Sequence, residues 1–212
     1  MKLLLTAFDP FGGEKMNPAL EAVRLVPDRV GEWEIVKLTV PTVFGLSIRT
    51  AAEAIEKERP DAVLCIGQAG GRSALTPERV AINLSDARIA DNAGLQPVDE
   101  PIAQDGPAAY FSTLPVKAMA AAIREAGLPA AVSYTAGTFV CNHLMYGVLH
   151  LLARDYPGVR GGFMHVPFAP CQVTERAAPS MSIADIARGI ETAIGAIAKN
   201  ESDIASCEGT TH

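Results

Sequence analysis

No block of basic residues interrupts this 212-residue chain, and its 18 Lys and Arg are outnumbered by 24 Asp and Glu, for a formal charge of −6. A nucleic-acid partner is therefore not expected. No uncharged apolar run is long enough to span a bilayer, so no membrane partner is expected either. The opening MKLLLTAFDPFGG lacks the full apolar core and small-residue cleavage site of a signal peptide. Its residues 2–7 read instead as a first strand. There is no CxxC pair: Cys65, Cys141, Cys171 and Cys207 are widely scattered. Without an export signal, that pattern predicts reduced thiols and a cytoplasmic location. Neither a GxGxxG run nor a P-loop lysine is present, and no cofactor is expected.

What is present is length and apolar content enough for one substantial core, with 49% hydrophobic residues. Residues 34–40 alternate polar and apolar and predict a second strand, and 43–58 carry helical spacing. Residues 62–66 form a continuous apolar run, as in a central strand covered on both faces. Asn17 and Pro18 have the N-cap and N1 chemistry of a helix start. Further helices are predicted over 114–126, stopped by Gly127, and over 182–199, with Ser182 as N-cap. Short buried strands are predicted over 129–133 and 161–166. This alternation predicts an α/β fold, a three-layer α/β/α sandwich with a mainly parallel central sheet. Residues 1–200 read as a single α/β domain and 201–212 as a polar, frayed tail.

Two glycine-rich loops follow predicted strands, Asp9-Pro10-Phe11-Gly12-Gly13 and Gly67-Gln68-Ala69-Gly70-Gly71. Loops in that position build sites in α/β folds, although glycine there also serves plain tight turns. Residues 72–107 are irregular and rich in Asp, Asn, Gly and Pro. They retain apolar side chains at Val80, Ile82, Leu84, Ile89, Leu95 and Ile102. That predicts an ordered lid or insertion, with a short strand over 80–84, and no domain boundary.

The stretch YTAGTFVCNHLMYGVLHLL, residues 134–152, organises the rest. Small turn-prone residues run into Phe139, Val140 and Cys141, and apolar residues at helical spacing follow. Cys141 thus falls where a turn hands over to a helix N-terminus. Free backbone N–H groups there favour a thiolate, which predicts a lowered pKa and a nucleophile. The plainer alternative is an inert core cysteine. Of the four histidines, His212 lies in the tail, His150 has no evident partner, and His143 falls on a different helix face from Cys141. His165, near the carboxyl end of a strand, is the better placed general base. Cys141 and His143 offer two metal ligands without a third at a known spacing, so no metal site is expected. Spacing alone does not choose an acid among Glu78, Asp86 and Asp91.

Several runs resemble the pyroglutamyl-peptidase I (pyrrolidone-carboxylate peptidase) family: FDPFGGEKMNPALEAV, LCIGQAGGRSALTPERVAIN, DARIADN, QPVDEPI, DGPAAYF, TAGTFVCNHLMYG and RGGFMHVPF. They cover nearly the whole domain. The resemblance implies an α/β/α fold and a cysteine exopeptidase that removes N-terminal pyroglutamate (5-oxoproline) from peptides. It also implies a cytoplasmic homotetramer. It places the nucleophile on Cys141, the histidine on His165 and the acid on Glu78. Phe11, Phe139 and Val140 match the family's ring pocket, with Asn17, Gln68 and Ile89 near it. Arg88 matches an arginine that assists at the oxyanion. Tyr134, Ala90 and Cys171 depart from the family's commonest pattern, and none of them belongs to the triad. A non-catalytic protein of the same fold that binds a cyclic amide or a peptide end is the alternative.

Overall fold

The computed structural model of the chain describes residues 1–209. Its centre is a six-stranded sheet in the order β2-β3-β1-β4-β8-β5. The four inner strands are parallel: β1 (Lys2–Phe8), β3 (Trp33–Val40), β4 (Ala62–Gln68) and β8 (Arg160–Val166). The edges are antiparallel, β2 (Arg29–Val30) on one side and β5 (Thr76–Glu78) on the other. A separate two-stranded antiparallel sheet pairs β6 (Val80–Ile82) with β7 (Ala109–Phe111).

Alternation along the strands gives the sheet two apolar faces. Leu3, Leu5, Ala7, Leu64, Ile66, Met164 and Val166 pack into one core. Helices α1 (Pro18–Leu25), α3 (Val116–Glu125) and α5 (Ile183–Lys199) cover that face. Leu4, Phe8, Val63, Cys65 and Phe163 point the other way, under α2 (Leu46–Glu58) and α4 (Val140–Asp155). Each fully buried aliphatic or aromatic side chain in these cores contributes on the order of 1.5–3 kcal/mol. The result is the α/β/α sandwich with a mainly parallel sheet that the sequence predicts.

The predicted helix caps are present. Asn17 Oδ1 accepts from the Ala19 amide at 3.0 Å, with Pro18 at the first helical position, and Ser182 Oγ accepts from the Asp185 amide at 3.0 Å. α2 starts later than periodicity predicts, at Leu46. The residues before it are spent on tertiary bonds: Thr42 on Asp9, the Phe44 amide on Asp91, and the Gly45 amide on His143. Residues 129–133 do not form a full strand. They run beside β5 through isolated bridges at Ala130 and Ser133.

The tail also differs from its expected frayed state. Asp203 accepts from the Lys117 and Ala118 amides and so caps α3, which has no side-chain cap of its own. Glu208 pairs with Arg124 at 2.6 Å. These bonds satisfy orphan amides that α3 would otherwise leave to water. His212 lies outside the described residues.

Residues 72–107 are ordered by polar side chains that replace secondary structure. Asn83 Oδ1 accepts from the Ile102 and Ala103 amides, and Asn142 of α4 bonds both backbone groups of Ile82 and the Leu84 carbonyl. The Asp91 carboxylate accepts from the amides of Phe44, Ala93 and Leu95. Each such bond supplies a partner that a strand or helix would have supplied.

Candidate active site

β1, β4 and β8 all end at the same edge of the sheet, and the loops after them meet there. In β8, His165 is two residues from Phe163 and shares its face, toward α4. β5 lies antiparallel to β8, pairing Thr76 with His165 and Glu78 with Phe163. Glu78 Oε1 and His165 Nδ1 are consequently 2.7 Å apart, with Glu78 wholly buried and His165 nearly so. A carboxylate only accepts, so Nδ1 carries the proton and Nε2 is left to accept another. Burial holds the imidazole pKa below its ordinary value, against the opposing pull of Glu78.

Cys141 is the second residue of α4. The helix has no side-chain cap, and its first internal bond runs from the His143 amide to the Phe139 carbonyl. The amides of residues 140–142 therefore have no partner within the helix, which makes this end a donor cluster. In the β4–β8 register, Gly67 sits opposite His165. A Cβ at Gly67 would lie 3.0 Å from Cys141 Sγ and 2.6 Å from the Phe163 ring. The missing side chain is thus the space that the thiol occupies, next to the imidazole. The expected lowered thiol pKa is not found. Burial pushes Cys141 up to about 12, the charge on Glu78 adds to this, and Arg72 opposes it. Desolvation is the leading cause at both groups, and it favours the uncharged thiol and the uncharged imidazole.

Beside the thiol is an apolar wall. Phe139 lies 6.3 Å from Phe11 and 5.4 Å from Phe44, centroid to centroid. Phe44 is held from behind by an edge contact with His143 at 5.1 Å and by its amide bond to Asp91. Burial lowers the His143 pKa to about 4. Its Nε2 accepts from the Gly45 amide at 2.9 Å, so it is a neutral pin and stands apart from the acid–base pair. His150, without an evident partner in the sequence, bonds the Tyr110 hydroxyl at 3.0 Å.

The other sequence candidates divide. Gln68, at the end of β4, accepts from Gln172 Nε2 at 3.1 Å. The Asn17 side chain is spent on capping α1 and on the Asp9 carbonyl. Val140 is fully buried in the core under α4. Ile89 is 49% exposed, and Arg88 is exposed with no hydrogen bond or ion pair among the described residues. Both follow Asp86, whose backbone bonds Thr138, three residues before Cys141. Asp91, the rival acid, is occupied by three amides, and Asp86 is exposed. Sequence reasoning missed Arg72, Phe44, His143 as a pin, and Gln172. Only Arg72 carried a signal, as a charge placed directly after the glycines of the β4 loop. No group of His, Cys, Asp and Glu among the described residues has a metal-binding arrangement.

This geometry has close counterparts. A family model described as Pyroglutamyl peptidase matches residues 1–200. A pyrrolidone-carboxylate peptidase of Levilactobacillus brevis is 61% identical over 198 residues, 93% of this chain and 97% of the relative. The crystal structure of pyroglutamyl peptidase I from Bacillus amyloliquefaciens superposes with a TM-score of 0.95 at 53% identity, covering 97% of this chain and 99% of the other. A mutant pyrrolidone carboxyl peptidase from Pyrococcus furiosus follows with a TM-score of 0.90 at 39% identity, covering 94% and 99%. With a family model matching residues 1–200 and relatives this similar over nearly the whole chain, the chain belongs to the pyroglutamyl peptidase family.

Proposed function

We propose that Cys141, His165 and Glu78 carry out the reaction of a cysteine exopeptidase in this chain, releasing pyroglutamate from the N-terminus of a peptide. The observation that carries this reading is the buried Glu78–His165 bond, with the Cys141 thiol in the space left by Gly67. Sγ attacks the carbonyl carbon of the pyroglutamyl bond while His165 Nε2 takes its proton, so charge does not rest on sulfur alone in a dry site. The free amides at the start of α4 face the developing oxyanion, and Arg88 swings in from the neighbouring loop to assist. His165 then protonates the leaving amine. It next takes a proton from water, which attacks the thioester and frees pyroglutamate.

Pyroglutamate has a lactam ring and no charged amine. Phe11 and Phe139 surround its methylenes with Ile89 at the rim and Val140 backing the wall from the core, while Asn17 fixes the loop that carries Phe11. The lactam edge needs one donor and one acceptor, and Gln68 supplies both. The Ala69 amide bonds the Val166 carbonyl, so the Gln68 N–H and C=O turn the other way, toward β1. There the pairing of β1 with β4 has stopped at Ala7 and Ile66. A site built to pair both lactam groups rejects a ring lacking one, because its own buried group would stay unpaired.

Residues 1–200 act as one catalytic domain with 201–212 appended. A cytoplasmic setting is supported by four free cysteines and by the lack of any helix, among the described residues, long and apolar enough to cross a membrane. A homotetramer, implied by the family resemblance, is supported by the exposed apolar side chains of Leu95, Val98 and Phe111. The deciding experiment compares a chromogenic pyroglutamyl amide with the matching prolyl amide on reduced protein. Fast release from the first and slow release from the second is expected. No release from either would favour a binding protein of the same fold, and equal rates would overturn the account of ring recognition.

A further inference from the structure

Behind the acid lies a cation that the triad reading leaves unused. Arg72 follows Gly71, whose φ of +93° turns the chain sharply after β4. Its Nη1 donates to Glu78 Oε1 at 2.6 Å and to Thr76 Oγ1 at 2.6 Å, and its Nη2 donates to the Thr135 carbonyl at 2.9 Å. Glu78 Oε1 is the same oxygen that binds His165, while Oε2 is buried without a partner. A fully buried carboxylate facing only a neutral imidazole would be strongly disfavoured as an anion. Among the described residues, Arg72 is the one cation paired with it. We propose that Arg72 is a positioning residue of this active site, a clamp that holds the Glu78 carboxylate aimed at His165 and ties both to the turn delivering Cys141.

Two consequences of the geometry support the clamp. One guanidinium joins the turn after β4 and the nearby strand β5 to the segment before α4, 63 residues away in sequence. Its link to Thr135 reaches the turn directly, since Thr135 Oγ1 in turn accepts from the Gly137 amide. The second consequence is electrostatic. The charged groups acting on the imidazole are Glu78 from β5 and Arg72 from the turn, and those acting on the Cys141 thiol of α4 are the same two together with Cys65 of β4. Arg72 works against protonation of His165 and favours the thiolate of Cys141. It thereby opposes the charge of Glu78 at both groups, easing loss of the proton from sulfur while keeping His165 neutral as the resting acceptor. No other arginine is placed to substitute: Arg79 stacks over Phe111 and pairs with Asp203, and Arg88 is exposed.

This inference rests on the peptidase reading, and its test separates the two. The wild type, Arg72→Met and Arg72→Lys are assayed on a pyroglutamyl amide across pH, with circular dichroism as a check on folding. Arg72→Met is expected to lower kcat by about tenfold to a hundredfold, less than loss of a triad member, with KM within about twofold. Its acid limb in kcat/KM should move to higher pH, because His165 loses the charge that resists its protonation. Arg72→Lys keeps the charge but cannot span all three partners. It should restore the limb to its wild-type position and recover part of kcat. A folded Arg72→Met with wild-type kcat and limb would overturn the clamp. Should Arg72→Met not fold, Arg72→Lys decides: several-fold lower kcat supports the clamp, and wild-type kcat overturns it. A wild type that leaves the amide uncleaved would instead defeat the peptidase reading itself.

Discussion

Gly67→Ala is the smallest change that reaches the chemistry through packing alone. The added Cβ would lie 2.6 Å from the Phe163 ring and 3.0 Å from Cys141 Sγ, where ordinary contact begins at 3.4 Å. Relief therefore needs a shift of about 0.8 Å in the ring and about 0.4 Å in the thiol, on the scale at which packed atoms lose their contacts. Phe163 has little freedom to give way: it is wholly buried, 6.4 Å from the Phe8 ring and 4.8 Å from His165. Movement of the ring displaces His165, and its failure to move displaces Cys141. Either way the sulfur-to-imidazole geometry is lost, and overpacking of this kind costs about 1–3 kcal/mol of stability. In a domain of this size that corresponds to a melting-temperature drop of about 2–10 °C. A misplacement near 1 Å lowers turnover by about 10²-fold, so a loss of about tenfold to a hundredfold in kcat is expected, larger than any rise in KM. Thermal melts and steady-state kinetics on a pyroglutamyl amide measure both. Gly195→Ala is the matched control, since a Cβ there meets nothing within 4 Å, and an alanine inside α5 should be neutral or slightly stabilising. Wild-type kcat together with a wild-type melting temperature in Gly67→Ala would refute the placement of the thiol over Gly67.

Two further outcomes follow from the titrating groups. His143 is buried neutral with its pKa lowered to about 4, so on acidification the unfolded chain takes up its proton first, from about pH 6.5, and the folded chain only near pH 4. Stability should therefore be fully present above pH 6.5 and fall by about 3 kcal/mol toward pH 4. His143→Gln should flatten that slope in melts across the range, and parallel wild-type and mutant curves would show that the imidazole is not the titrating pin. Because burial raises the Cys141 thiol to about 12, its alkylation by iodoacetamide should keep accelerating from pH 7 to 9, with activity lost in step with Cys141 labelling and independently of Cys171. A rate already flat below pH 7 would mean that the amides of α4 win over desolvation, and activity lost with Cys171 instead would reassign the nucleophile.

Much of the scaffold was legible in the chain order of residues. Asn17-Pro18 and Ser182 start their helices where local chemistry puts them, and the apolar runs of β1, β4 and β8 are strands because both their faces are covered. The start of α4 at Val140, and so the place of Cys141 at a helix terminus, follows from helical periodicity. These features are set within a few residues, which is the range over which propensity, capping and alternation act. The later start of α2 and the docked tail escaped that reading because the deciding partners, Asp91, His143 and the amides of α3, are far away in sequence.

The site itself divides along the same line. The sequence by itself determined that a cysteine would meet the free amides of α4 and that His165 would end a central strand. Spacing left the acid open, and only the family resemblance pointed to Glu78. The tertiary structure supplies the physical reason that Glu78 rather than Asp91 reaches the imidazole, since β5 lies antiparallel to β8 in one register. The same packing brought Arg72 behind the acid, left Gly67 as the space for the thiol, and raised the thiol pKa that a helix terminus alone would lower. Burial and long-range register are properties of the assembled chain: desolvation acts on a group only once other segments have taken its water away.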